Sequence, residues 1–150
     1  MENAPKFEID KITPADLDGI VTIENASFPS PWPRRIFERE IKSDKSHNRV
    51  IRISDIVVGY IVTWTIHDEV HILNVAVHPE FRKAGLGEKL MRDCLSESAE
   101  KGLKYAILEV RITNVGAQKL YDKLGFKTIQ VRHKYYSDTN EDAYVMMLEI

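Results

Sequence analysis

Between Val70 and Val110 the chain reads apolar strand, glycine turn, helix, apolar strand. That order constrains the fold more than any other feature. Val70 to Val77 alternates with the period of two that a strand requires. From Gly85 to about Lys101, Leu86, Leu90 and Cys94 fall on one helical face with Leu95 at its edge, and Gly102 supplies a stop. Tyr105 to Val110 is a continuous apolar run of the kind that sits at a sheet centre. A strand, a crossover helix and a second strand of one sheet predict a parallel pair.

The flanking segments extend that sheet. Phe7 to Ile12 alternates imperfectly, as a first strand. Thr13-Pro14-Ala15-Asp16 is a helix start, with Thr13 as cap, proline at the first helical position and an acid in the first turn. Leu17, Ile20, Val21 and Glu24 carry the helix on, and the prolines at 29, 31 and 33 end it. Ile36, Phe37, Glu40 and Ile41 mark a second helix. Arg49 to Ser54, Val57 to His67 and Val70 to Val77 are three strands joined by short polar turns, which predicts an antiparallel meander. Asn114 caps a helix through Ala117, Leu120, Tyr121 and Leu124 that stops at Gly125, and strands follow at Lys127 to His133 and Ala143 to Glu149. The order β-α-α-β-β-β-α-β-α-β-β predicts a single α/β domain over residues 1–150, with a mixed central sheet and helices on both faces.

Composition removes several classes. At 43% apolar and 29% charged residues, the chain can build a core rather than remain disordered. A net charge of −2, with Arg49, Arg52, Arg82, Arg111 and Arg132 scattered over several elements, gives no basic face, so no nucleic-acid partner is expected. One cysteine, Cys94, excludes an internal disulfide and fits a reducing compartment. The opening MENAPKFEIDK is polar and lacks a secretory pattern, and no apolar run approaches a membrane span. A cytoplasmic protein without a membrane partner, a monomer or weak dimer, is expected. His67, His71 and His78 lack ligand spacing, so no metal is expected.

The chemistry is concentrated in Arg82-Lys83-Ala84-Gly85-Leu86-Gly87. A helix N-terminus offers N–H groups and the positive end of a dipole, and glycines admit an anion close to the backbone. On the residues alone, this is either a phosphate cradle or a plain strand-to-helix turn with a solvated basic pair. It is neither a Walker A loop nor a Gly-x-Gly-x-x-Gly fingerprint.

Preceded by Asn74-Val75-Ala76-Val77-His78-Pro79, the Arg82-x-x-Gly85-x-Gly87 motif resembles the acetyl-CoA motif of the GNAT N-acetyltransferases, whose element order the whole chain also matches. Four further blocks resemble a narrower branch, the RimI-type ribosomal-protein N-α-acetyltransferases and their archaeal and eukaryotic relatives. They are Leu108-Glu109-Val110-Arg111-x-x-Asn114, Leu120-Tyr121-x-x-Leu124-Gly125-Phe126, Lys134-Tyr135-Tyr136-Ser137-Asp138 and Glu141-Asp142-Ala143-Tyr144.

The resemblance implies transfer of acetyl from acetyl-CoA, as co-substrate, to a protein N-terminal α-amine by direct attack in a ternary complex. The implied acceptor is a ribosomal protein of the S18-alanine type; the alternative acceptor is a lysine side chain or a small-molecule amine. Val75, Ala76 and Val77 would meet the pantetheine arm through their backbone. Arg82, Lys83, Ala84, Gly85, Leu86, Gly87 and Glu88 would surround the pyrophosphate, Glu88 through its N–H and not its carboxylate. Asn114, also a sound helix cap, would touch the cofactor. Glu109 would be the general base; on the residues alone it equally pairs with Arg111, two positions away on one strand face. Tyr121 would be the general acid toward the CoA thiolate and would contact the cofactor; otherwise it is a helix-face aromatic beside Ala117 and Leu124. Phe28 and Pro29 on one side, Tyr135 and Tyr136 on the other, would hold the acceptor peptide. Adjacent strand residues point to opposite faces, so one tyrosine of the pair is expected to face the peptide. The loop Phe28-Pro29-Ser30-Pro31-Trp32-Pro33 carries more proline than the commoner Phe-Pro-Trp-Ser pattern, and that departure falls on the acceptor wall.

Overall fold

The computed structural model describes residues 6–43 and 45–150; the first five residues, which open the polar MENAPKFEIDK stretch, lie outside the described residues, as does Asp44. Seven strands, β1 (Phe7–Lys11), β2 (Arg49–Ile53), β3 (Ile56–Ile66), β4 (Glu69–Val77), β5 (Tyr105–Arg111), β6 (Lys127–Tyr136) and β7 (Glu141–Glu149), form one sheet in the order β1-β2-β3-β4-β5-β7-β6. The helices are α1 (Leu17–Ser27), α2 (Arg34–Glu40), α3 (Leu86–Glu100) and α4 (Val115–Leu124). The sheet is mixed: β4 and β5 pair in parallel, as the crossover order requires, while β1–β2, β2–β3, β5–β7 and β6–β7 pair antiparallel. None of the described helices is long and apolar enough to cross a membrane.

The described residues divide into two compact units. The first comprises the described residues up to Thr63 together with Asn74–Cys94. Its core gathers Ile12, Leu17, Ile20, Ile23, Phe37, Val50, Tyr60, Val62 and Ala76. Burying one side chain of this size contributes about 2 kcal/mol, and truncating Phe37 to alanine would cost about 3–5 kcal/mol. The predicted helix start at Thr13 is a 3-10 turn over Pro14–Asp16 that runs into α1. Asp16 Oδ2 accepts from the Thr13 N–H (2.8 Å) and hydroxyl (3.0 Å), and Arg52 on β2 donates to both Asp16 oxygens at 2.9 and 2.7 Å. Gly59 is required by packing: a Cβ there would lie 3.0 Å from the Ala76 carbonyl oxygen and 3.4 Å from Leu90 of α3.

The second unit comprises Trp64–Leu73 and Leu95–Ile150. The β4–β5 ladder runs from Glu69↔Tyr105 to Ile72↔Leu108, and β5 pairs along its full length with β7, from Tyr105↔Glu149 to Arg111↔Ala143. The apolar run of β5 predicts burial on both faces. The structure instead buries Ala106, Leu108 and Val110 and leaves Tyr105, Ile107, Glu109 and Arg111 half-buried on the opposite face. Two charged residues in alternate positions make one face of β5 a working surface. Strand β6 runs three residues beyond the predicted His133, to Tyr136, and β7 begins at Glu141, two before the predicted Ala143.

Candidate active site

In the first unit the glycine turn joins β4 to α3. Lys83 (φ 66°) and Gly85 (φ 77°) both take the left-handed conformation, with Ala84 between them. No heavy atom lies within 4 Å of where a Gly85 Cβ would stand, so the approach to the backbone is open. The first bond inside α3 runs from the Lys89 N–H to the Gly85 carbonyl at 3.1 Å. The N–H groups of Leu86 and Gly87 precede that bond in the first turn, the position at which a helix start can receive an anion. Leu86 is buried and pins the first turn, while Ala84 is exposed.

The charges around this turn are arranged differently from a plain basic rim. Arg82 folds back, Nε donating to the Val77 carbonyl (3.2 Å) and Nη2 to Ser27 Oγ (3.1 Å), so it braces the end of β4 against the end of α1. Glu88 accepts from Arg92 Nε one turn on at 2.8 Å, consistent with a carboxylate turned away from an anion site. Along β4, Val75 and Val77 are half-buried and Ala76 is buried. Phe28 is extended and half-buried against the core, and Pro29 is exposed.

In the second unit α4 is capped by Asn114, whose Oδ1 accepts from the Ala117 N–H at 3.2 Å. The helix ends at Gly125 in the left-handed region, with the Phe126 N–H on the Tyr121 carbonyl at 3.0 Å. This buries Tyr121 to 7% exposure, its ring 5.9 Å from that of Phe126. Burial, and then the charge of Tyr136, push the Tyr121 hydroxyl well above the ordinary phenol range.

The two adjacent tyrosines do not diverge. Their ring centroids lie 5.0 Å apart at 88°, edge to face. The reason is a bulge: Arg132 pairs with Ala143 and Tyr136 with Glu141, so β6 takes four residue steps where β7 takes two. Lys134 enters the left-handed region (φ 51°) and its N–H donates to Asp142 Oδ1 at 2.8 Å, while Asp142 Oδ2 lies 3.3 Å from His133 Nδ1. The Lys134 N–H is the first cause that holds the Asp142 carboxyl below the usual range.

Arg111 supports the other side. Its guanidinium carbon lies 3.9 Å from the Tyr136 centroid, and it donates to Asp138 (3.0 and 2.8 Å), Glu141 (3.1 Å) and Thr139 (3.0 Å). The Glu109–Arg111 pairing that the spacing also allows is thus replaced by pairing of Arg111 with the β6–β7 turn. Glu109 keeps a half-buried position on the working face of β5, where its charge reaches both tyrosines. Burial and then Glu109 raise Tyr135; burial pushes Tyr136 up to about 12, with Tyr135, Glu109 and Glu141 adding to it and Arg111 opposing. The Glu109 carboxylate thus lies in electrostatic range of two phenols that keep their protons, while the arginine two residues on is committed to the β6–β7 turn.

The sequence reading missed Asp142 and Glu24. Asp142 stands in a recognised block without a role. Glu24 passes for one more residue of the helix, although an acid following Leu17 and Ile20 on the inward stripe, just before a proline-rich loop, is itself a signal.

Residues 17–126 match the acetyltransferase (GNAT) family. A Bacillus subtilis protein named "Putative ribosomal protein bS18-alanine N-acetyltransferase" is 38% identical over 136 residues, 90% of each chain. The ribosomal protein bS18-alanine N-acetyltransferase of Escherichia coli K12 is 30% identical over 144 residues, 95% of this chain and 97% of the other. The crystal structure of the Escherichia coli ribosomal-protein-S18-alanine N-acetyltransferase superposes with a TM-score of 0.89 at 29% identity, covering 97% of this chain and 94% of that one. Beside a glycine turn that opens α3 after β4, and a half-buried carboxylate on β5 whose charge reaches Tyr135 and Tyr136, these matches settle the family: the chain belongs to the GNAT acetyltransferases and is an acetyl-CoA-dependent N-acetyltransferase.

Proposed function

We propose that this enzyme transfers acetyl from acetyl-CoA to the N-terminal α-amine of a ribosomal protein of the S18-alanine type, in the cytoplasm, as a single domain. The observation that carries the reading is the pair Tyr135 and Tyr136, which meet edge to face within range of the Glu109 charge. Two rings beside one carboxylate suit a peptide end whose terminal amine must lose a proton. The names of the relatives support the same acceptor.

In this reading Leu86, Gly87 and Glu88 hold the pyrophosphate through N–H groups, and Lys83, Ala84 and Gly85 shape the turn. Arg82 braces that turn and carries positive charge beside it. Val75, Ala76 and Val77 offer backbone groups to the pantetheine arm, and an N–H among them faces the thioester oxygen. Asn114, whose oxygen caps α4, contacts the cofactor through its amide group. Phe28 and Pro29, like Tyr135 and Tyr136, contact the acceptor.

The α-amine, with a reference pKa of about 8, gives its proton to Glu109 directly or through water and attacks the thioester carbon. The tetrahedral intermediate collapses, the C–S bond breaks, and the excess proton on the attacking nitrogen passes, directly or through water, to the departing thiolate. A thiol near pKa 8.5 leaves readily, so Tyr121 needs only to offer its O–H to the departing sulfur. The raised pKa of Tyr121 keeps that hydrogen in place throughout the working pH range.

The test is acetyl transfer read by mass spectrometry on two matched peptides, one with a free N-terminus and one blocked there but carrying lysine. Transfer to the free α-amine alone is expected. Transfer to lysine alone would overturn the acceptor while leaving the family in place.

A further inference from the structure

We infer that Glu24 is a positioning residue that fixes the proline-rich loop 28–33 as a preformed acceptor wall, an inference that rests on the reading of that loop as contacting the acceptor. Glu24 lies on α1 and is 1% exposed. Three neutral donors converge on its carboxylate. Oε1 accepts from the Tyr60 hydroxyl on β3 and from Asn74 Nδ2 on β4 at 2.7 Å, and Oε2 accepts from the Trp32 backbone N–H at 2.9 Å. Burial and then the nearby Glu24 charge push the Tyr60 hydroxyl far above the ordinary phenol range, so that donor keeps its proton.

The loop has few other ways to be held. Proline lacks an N–H, so across Pro29-Ser30-Pro31-Trp32-Pro33 only Ser30 and Trp32 carry amide donors. One of the two goes to the buried carboxylate. Each proline also fixes its own φ and drives the preceding residue toward extended backbone, which restricts every position from Phe28 to Pro33. Phe28 (φ −131°, ψ 144°) and Pro33 (φ −70°, ψ 155°) have that geometry. A stiff segment needs one anchor to set its direction, and the Trp32 N–H supplies it. The Trp32 ring reinforces the anchor, lying 5.3 Å from Phe37, which meets the Tyr60 ring edge-on at 5.6 Å.

The oxygen that holds Tyr60 also holds Asn74, the residue before Val75. Glu24 therefore joins the loop to the strand whose backbone serves the cofactor. A wall set before the peptide arrives loses little freedom on binding, so the tether acts on acceptor affinity rather than on chemistry.

The experiment combines hydrogen exchange at the Trp32 amide with steady-state kinetics of Glu24→Gln and Tyr60→Phe. In Glu24→Gln an NH2 group replaces one acceptor and faces a donor. The wild-type Trp32 amide is expected to be strongly protected, and in Glu24→Gln to exchange about 100-fold faster or more. The acceptor-peptide KM should rise about tenfold, with kcat and the acetyl-CoA KM within about threefold of wild type. Tyr60→Phe removes a donor from Oε1 but leaves the Trp32 bond, and should keep the acceptor KM within about twofold. Rapid wild-type exchange at Trp32 overturns the tether even where Glu24→Gln fails to fold. So does an unchanged acceptor KM in folded Glu24→Gln, a Tyr60→Phe effect equal to that of Glu24→Gln, or a common rise in both KM values with a fall in kcat. A wild-type enzyme with a protected Trp32 amide but no α-amine transfer overturns the acceptor role alone.

Discussion

The guanidinium carbon of Arg111 lies over Tyr136, 3.9 Å from the ring centroid, while its nitrogens reach Asp138 and Glu141 of the β6–β7 turn. Lysine cannot stack and bridge at once. Arg111→Lys is expected to raise the KM for an α-amine peptide about five- to tenfold and to leave the acetyl-CoA KM unchanged. Parallel titrations of the two substrates check this; an equal loss for both would move Arg111 out of the acceptor side.

Gly85→Glu should abolish acetyl-CoA binding in a folded protein. A Cβ at this position meets no atom within 4 Å, so the fold has room for it, but the glutamate brings a negative charge to the proposed anion site and a Cβ to a left-handed residue. The backbone strain costs about 1–2 kcal/mol, a fall of several degrees in Tm. Calorimetric titration with acetyl-CoA beside a thermal melt separates the two effects, and retained affinity refutes the cradle.

Glu109→Gln keeps the shape of the side chain and removes the base. Turnover should fall about 10²- to 10⁴-fold with acetyl-CoA affinity unchanged. Part of the loss should return at high pH, where the amine is already neutral. A rate equal to wild type at pH 7 would take Glu109 out of the base role.

The pH profile should have no tyrosine limb. Burial raises Tyr121, and Tyr136 sits at about 12, so both stay protonated through pH 10. The rate is expected to rise with pH as the α-amine, near pKa 8, deprotonates, and then to level off. A fall between pH 9 and 10 in a protein that circular dichroism shows to be folded would contradict the Tyr121 assignment.

Asp16 governs acid stability. Burial works to raise its pKa, but the hydrogen bonds from Arg52 and Thr13 outweigh burial and the net shift is downward. A lowered folded pKa means that the stabilisation is complete above the unfolded value of about 3.9 and is lost as pH falls through the folded one. Asp16→Asn should therefore lower stability at pH 7 by about 2 kcal/mol and make the acid limb below pH 4 shallower in urea titrations.

The parts of this molecule that depend on local chemistry are the parts the sequence discloses. Thr13 with Asp16, Asn114 with Ala117, Gly102 and Gly125 are short-range signals, and each marks the element boundary it predicts. The crossover rule gives the parallel β4–β5 pair because it needs only the element order. What escapes is register and long-range satisfaction of polar groups. Simple alternation separates Tyr135 from Tyr136, because nothing in Lys134-Tyr135-Tyr136 announces two extra residues on β6. That bulge exists because Asp142, eight residues on, accepts the Lys134 N–H. Likewise, Arg111 is near enough to Glu109 in sequence to suggest a pair, and only the turn at Asp138 to Glu141 shows where its charge goes.

The same bulge bears on solubility. Strand β6 closes the sheet order and presents Ile129 and Val131 to solvent, 52% and 39% exposed, on an edge with no further strand beside it among the described residues. A flat edge of that kind invites another chain to add itself by backbone pairing. Two breaks in register, at Thr128/Gln130 and at Arg132/Tyr136, deny an incoming strand a continuous ladder. The irregularity that brings two tyrosine rings together thus also blunts the edge, and a variant that straightened β6 is expected to part those rings and to aggregate more readily.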